Sequence, residues 1–199
     1  IEEYEKYNIV KKINLVPCYM SYEQFTHYEV EYNKQTEQDI RKARRKNMYD
    51  DDSFHYFSGT RQTCNIVYNE KGDEETKYRL MEEDNNFKEN LNLYSPKMYN
   101  IIQNMRKLLD NDKPIGKILM YSDYKSEGGS GGFEQVLIAH GYEKYDYKSG
   151  HIDKLKESNK KKRYTFITGD EDEVTKKENK DAYNDVKNIR GEYIQVMII

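Results

Sequence analysis

The stretch Lys117-Ile118-Leu119-Met120-Tyr121-Ser122 decides the fold. It is a short, continuous apolar run. The glycine-rich segment Ser126-Glu127-Gly128-Gly129-Ser130-Gly131-Gly132 follows, and then an apolar piece from Phe133 to His140. An uninterrupted apolar run of this length, bounded by turn residues, reads as a strand covered on both faces. The piece after the glycines reads as a helix, with Gly141 placed to close it in a left-handed conformation. Arg163 to Thr168 repeats the strand pattern and exits at Gly169, and residues 173–188 read as a very polar helix. Tyr193-Ile194-Gln195-Val196-Met197-Ile198-Ile199, β-branched and preceded by Gly191, is the next buried strand. Buried strands alternating with helices imply a parallel sheet flanked by helices, so the fold class is α/β.

Upstream, Ser95 stands directly before Pro96, a helix cap followed by a proline whose missing N–H costs nothing at the first helical position. Met98, Ile101, Ile102, Met105, Leu108 and Leu109 follow at helical spacing, and Pro114 closes the element. Residues 47–90 are polar and poorly periodic, which predicts loops or an insertion, except for a packed stretch over 57–67. Near the start, Ile13-Asn14-Leu15-Val16 reads as a strand running into Pro17. Ser21 and Gln24 have the spacing of a capping box. Tyr22, Phe25 and Tyr28 give the ensuing helix an apolar face, and Arg41, Lys42, Arg44, Arg45 and Lys46 make its far end basic. That basic end reads as a solvated face favoured by the helix dipole, with nucleic-acid contact as the alternative.

The whole chain has 199 residues, 35% of them charged, and a net charge of -3 from 33 Lys and Arg against 36 Asp and Glu. Charge alone therefore does not argue for nucleic acid. No apolar run approaches the length of a membrane span, and no signal peptide opens the sequence. The expectation is a reduced, metal-free intracellular protein. Cys18 and Cys64 form no metal-binding pair, and His27, His55, His140 and His151 lack ligand spacing. The 20 tyrosines, with no tryptophan, fit AT-rich coding DNA better than a stacking platform. The sequence starts at Ile1 and stops at Ile199 inside an apolar run, which reads as a fragment.

No complete catalytic constellation is visible: there is no nucleotide phosphate loop, nucleophile elbow or paired-histidine zinc motif. The glycines at 128–132 lie between a strand and a helix, where backbone N–H groups can hold a phosphate. The same composition is the signature of a flexible connector. The run Lys160-Lys161-Lys162-Arg163 divides in the same way between a solvated loop and a phosphate contact.

Taken in order, these landmarks resemble the C-terminal half of a superfamily 2 helicase of the Swi/Snf-related type found in large DNA viruses. Val16-Pro17-Cys18-Tyr19-Met20-Ser21, with Gln24 and Tyr28, resembles the segment joining the two RecA-like motor domains. Ser58-Gly59-Thr60-Arg61-Gln62-Thr63-Cys64-Asn65-Ile66-Val67 resembles a viral phrase in which Ser-Arg-Gln precedes a Cys-Asn-Phe-Val-like run; here Gly59 and Thr60 intervene. Tyr94-Ser95-Pro96-Lys97 resembles the helix leading into the second motor domain. Lys117 to Tyr124 is similar to helicase motif IV, Arg163 to Gly169 to the strand after it, and Ile194 to Ile199 to the strand entering motif V.

The resemblance implies a joining segment over 1–92, mostly helical or irregular, with a polar insertion. It implies an incomplete RecA-like domain over 93–199, truncated before motif V. It implies an ATP-dependent helicase or translocase as the parent, using ATP and Mg²⁺, acting on DNA or RNA in viral transcription or remodelling, with a viral RNA polymerase as a candidate partner, in a virion or a cytoplasmic viral factory. The fragment alone is expected to be inactive, with no catalytic residue of its own. Ser122, Lys125 and Gly129 are the nucleic-acid-binding candidates; for Ser122 a strand-end cap is an equal reading, and for Gly169 a turn requirement is preferred to ligand contact. Two rival functions are a non-enzymatic α/β interaction domain on a RecA-like scaffold and a doubly wound nucleotide- or ligand-binding domain using the glycine loop.

Overall fold

The computed structural model describes residues 14–45, 58–68, 85–109, 116–126, 128–145 and 161–199. In chain order these form α1 (Tyr22–Arg45), α2 (Ser58–Thr63), α3 (Asn85–Glu89), α4 (Leu91–Tyr94), α5 (Pro96–Leu109), β1 (Ile118–Met120), α6 (Ser130–Ala139), β2 (Tyr142–Lys144), β3 (Lys162–Phe166), α7 (Glu173–Asn184) and β4 (Val196–Ile198). The strands make one sheet in the order β1-β4-β3-β2, and every pairing is parallel. Ile118 pairs with Val196 and Met120 with Ile198, while Tyr164 and Phe166 flank the same two β4 residues on the other side. This is the α/β class expected, a parallel sheet with flanking helices, and it is consistent with an incomplete RecA-like fold.

Burial follows from the pairing. β3 and β4 are interior, and Tyr164, Thr165, Val196 and Ile198 are almost wholly buried. β1 is an edge strand among the described residues, and its Leu119 is 58% exposed. The main core joins Met98, Ile102 and Met105 of α5, Phe133, Val136 and Leu137 of α6 and the β3–β4 residues, together with Ile66, Phe87 and Leu91. Burying each of the larger apolar side chains contributes about 1.5–3 kcal/mol. Ser95 caps α5 as expected, accepting from Met98 N at 3.0 Å. Gly141 closes α6 at φ +81, a conformation glycine adopts without a Cβ clash.

Several expectations are corrected. Ile13 lies outside the described residues, and Asn14 to Val16 are irregular, with Leu15 90% exposed, since no strand among the described residues pairs with them. Ser21 does cap α1, accepting from Gln24 N at 2.9 Å. Gln24 does not complete a capping box: its buried amide donates to Thr63 O at 2.8 Å instead. The aromatic face of α1 is largely exposed, because the helix meets α2 through Gln24 and Gln35, whose Oε1 accepts from the Thr60 hydroxyl. Stacked contacts between Phe25 and Tyr28 (6.4 Å) and between Tyr28 and Tyr32 (6.0 Å) run along that outer face.

Further along, α2 falls in the stretch 57–67 read as packed, α3 falls inside the stretch read as loops, and Pro114 lies outside the described residues. α6 begins at Ser130, so three residues of the glycine segment are its first turn. The polar helix stops at Asn184 rather than 188, because Asp185 turns extended (ψ 143) and caps a short 3₁₀ turn through Lys187 N at 2.7 Å. β2 was not expected; it is three residues long with two of them exposed, too short to carry a pattern. Lys160 lies outside the described residues and Lys161 is irregular and exposed, as a solvated loop would be, but Lys162 and Arg163 open β3, and Arg163 is buried. Gly169 has no left-handed backbone, so no turn requirement holds it as glycine; a Cβ there would meet the flexible end of Lys125, with Nζ at 2.9 Å.

Candidate nucleic-acid interface

Parallel strands all point one way, so the loops leaving their carboxyl ends gather on one edge, where α/β folds generally place ligands. At the end of β1 this edge carries a cleft of about 410 Å³, lined by the β1 exit from Met120 to Tyr124, by Arg61, Cys64 and Asn65, by Lys97, Met98 and Ile101 of α5, and by Gly129.

Each wall has a local cause. The β1 exit is set by Ser122, whose hydroxyl donates to Tyr124 O at 2.9 Å and accepts from Tyr124 N at 3.3 Å. The α2 exit is locked on both sides. Asn65 Nδ2 donates to Gly128 O at 2.7 Å, Asn65 O accepts from Ser95 Oγ, and Ser126 Oγ donates to Gln62 Oε1 at 2.8 Å. Lys97 Nζ donates to Asn65 Oδ1 at 2.7 Å, which holds an ammonium at the rim. The Arg61 guanidinium lies over the Tyr124 ring at 5.5 Å and 3.5 Å from Asp123 Oδ2. Asp123 Oδ1 accepts from the exposed Tyr121 hydroxyl at 2.6 Å, and this hydrogen bond, with the adjacent negative charge, raises the Tyr121 pKa. Burial pushes the Cys64 thiol up against the opposing pull of Lys97, which makes it a less reactive thiol than a free one.

The three candidates part company here. Ser122 and Gly129 line the cleft. Lys125 points elsewhere, pairing with Asp170 at 3.0 Å beside the exit of β3. Gly128 to Gly132 form a turn that runs into α6, and the amides of residues 129–132 are already used. Gly129 N donates to Ser126 O (2.9 Å), Ser130 N to Tyr124 O (2.8 Å) and Gly131 N to Lys125 O (3.0 Å). A Cβ on Gly129 would sit 1.9 Å from Tyr124 O, so glycine is required there by backbone contact. Replacing it with valine would displace the turn whatever the ligand. Arg61, Asn65 and Lys97 were not singled out as site residues; their meeting depends on contacts between segments far apart in sequence.

The amides of residues 129–132 have partners, and no group of three or more His, Cys, Asp or Glu among the described residues is placed to hold a metal ion. Among the described residues no helix is long and apolar enough to cross a membrane.

Comparison with known proteins adds one relationship. Over 169 residues, 84% of this chain, the sequence is 27% identical to a protein of Acanthamoeba polyphaga mimivirus provisionally named as an ATP-dependent RNA helicase. The match covers 27% of that relative, so the chain spans about a quarter of its length. No family model matches the chain, and no solved structure matches it. The similarity is to a helicase-like protein.

Proposed function

We propose that the chain is part of an ATP-dependent helicase or translocase of superfamily 2, and that it contributes nucleic-acid grip and part of the second motor domain. The observation that carries this reading is the similarity, along most of the chain, to a viral protein named as an RNA helicase. The cation-rimmed cleft at the carboxyl end of β1 supports it. In this reading residues 1–92 join the motor domains and 93–199 belong to the second. ATP and Mg²⁺ belong to the parent protein, and this piece alone does not hydrolyse ATP. Ser122, Lys125 and Gly129 are the residues that meet the strand: Ser122 and Gly129 line the cleft, while Lys125 is paired with Asp170 outside it. RNA is the first substrate to test because the relative is named for it, with DNA beside it. Viral transcription or remodelling next to an RNA polymerase, in a virion or viral factory, is the setting that suits a relative from a giant virus.

The test is ATP hydrolysis by the full-length parent with and without nucleic acid. Stimulation by RNA or DNA is the expected result, and no stimulation by either overturns the reading. A non-enzymatic interaction domain is the second reading. The exposed aromatic face of α1, with Tyr22 at 82%, favours it. Binding of a protein partner through that face, with no nucleic-acid binding, would establish it.

A further inference from the structure

We infer that the cleft beside β1 takes one nucleotide unit of a single strand, its base against the apolar floor of Met98, Ile101 and Met120 and its phosphate at Lys97 and Arg61. This rests on the reading of the chain as a nucleic-acid grip and adds where the base goes.

The cleft joins two chemistries. Met98 and Ile101 stand one turn apart on α5, and Met120 is the last residue of β1, so helix and strand together give an apolar surface below the rim. Methionine side chains are polarizable and make favourable contacts with aromatic rings. Above that floor, Lys97 and Arg61 stand at the rim, where a phosphate attached to a bound base would reach. About 410 Å³ lies at the small end of ligand clefts, which run from roughly 300 to 1,000 Å³. A duplex keeps its base faces stacked inside and offers only edges and phosphates, whereas a single strand can turn a base into such a floor.

Asp123 is the one carboxylate lining the cleft among the described residues, and it shares Arg61 with any incoming phosphate. The pair is exposed, with side chains 61% and 56% accessible, so a phosphate can displace it. Asp123 therefore acts as a weak competitor for the phosphate.

The experiment compares a fluorescent oligouridylate, an abasic strand of equal length and a duplex, each titrated against the full 199-residue chain. Alkylation of Cys64 is read in parallel by mass spectrometry, with Cys18, which does not line the cleft, as internal control. The strand with bases is expected to bind at least about fivefold more tightly than the abasic one, and to slow modification of Cys64 but not Cys18. Asp123→Asn is expected to tighten binding about two- to fivefold, the range open to an exposed ion pair. Equal binding of the abasic strand overturns the base subsite while leaving the grip intact. Binding of the duplex as tightly as the single strand overturns it as well, and so does weaker binding by Asp123→Asn. If no strand binds, both the subsite and the grip fail. Uridine monophosphate protecting Cys64 as fully as the oligomer would overturn the strand as the source and assign the same chemistry to a free nucleotide.

Discussion

Asn65 reaches across 63 positions of sequence to donate from Nδ2 to the carbonyl oxygen of Gly128 at 2.7 Å. The same side chain accepts from Lys97 through Oδ1, so one amide holds both the glycine turn and the cation at the cleft rim. Asn65→Ala removes both contacts. The expected cost is about 1–2 kcal/mol in denaturant unfolding, with weakened oligonucleotide binding because Lys97 loses its anchor. Asn65→Asp should keep the Lys97 contact and lose only the donor to Gly128.

Asn188 is fully buried and uses its whole amide. It donates to Tyr183 O and Ile194 O at 3.0 Å each, and it accepts from Tyr193 N and Ile194 N at 2.9 Å each. Asn188→Ala leaves four backbone groups without that partner just ahead of β4, and a loss of about 3 kcal/mol in unfolding free energy is expected. A change within experimental error would mean that the approach to β4 is held by other contacts.

His140 introduces a pH dependence. Burial lowers its pKa below 6.5; the Val136 carbonyl, 2.7 Å from Nδ1, opposes this, while Arg106, Lys88 and Lys162 push the same way as burial. The folded protein thus keeps the ring neutral where the unfolded chain takes up a proton. The stability it contributes is present above about pH 6.5 and is lost as pH falls from there through the lower folded value. His140→Gln should flatten that part of the stability profile, read as the difference from wild type by denaturant titration at a series of pH values. An unchanged slope would exclude His140 as its source.

Lys125 and Asp170 make an exposed pair, 57% and 74% accessible, at 3.0 Å. Lys125→Met should change unfolding free energy by less than about 0.5 kcal/mol. A drop in oligonucleotide affinity in this variant would therefore report contact with the strand rather than damage to the fold. A large loss of stability would instead give Lys125 a structural role.

Much of the architecture was legible because it rests on local rules. The apolar runs at 117–121, 163–168 and 193–199 each contain a strand, and the Ser95-Pro96 cap and Gly141 stop fall where their chemistry requires. What escaped the sequence depends on distant partners. Gln24 has capping-box spacing, yet its amide goes to Thr63, a choice made only once α1 meets α2. β2 is strand only because β3 lies beside it. Ser122 and Gly129 could be named from their position around a strand end. Arg61, Asn65 and Lys97 could not, since their convergence is a product of tertiary packing.

The position of β4 has a consequence for how the protein is made. It is translated after both β1 and β3, yet it lies between them and pairs with each. On the ribosome, the stretch from Met120 to Ile198 takes on the order of 4–16 s to emerge at about 5–20 residues per second. Through that interval, among the described strands, β1 has no neighbour and β3 has only β2, so the nascent chain carries open sheet edges beside apolar side chains. Yield should therefore respond to elongation rate and to chaperone supply more than the stability of the finished sheet would suggest.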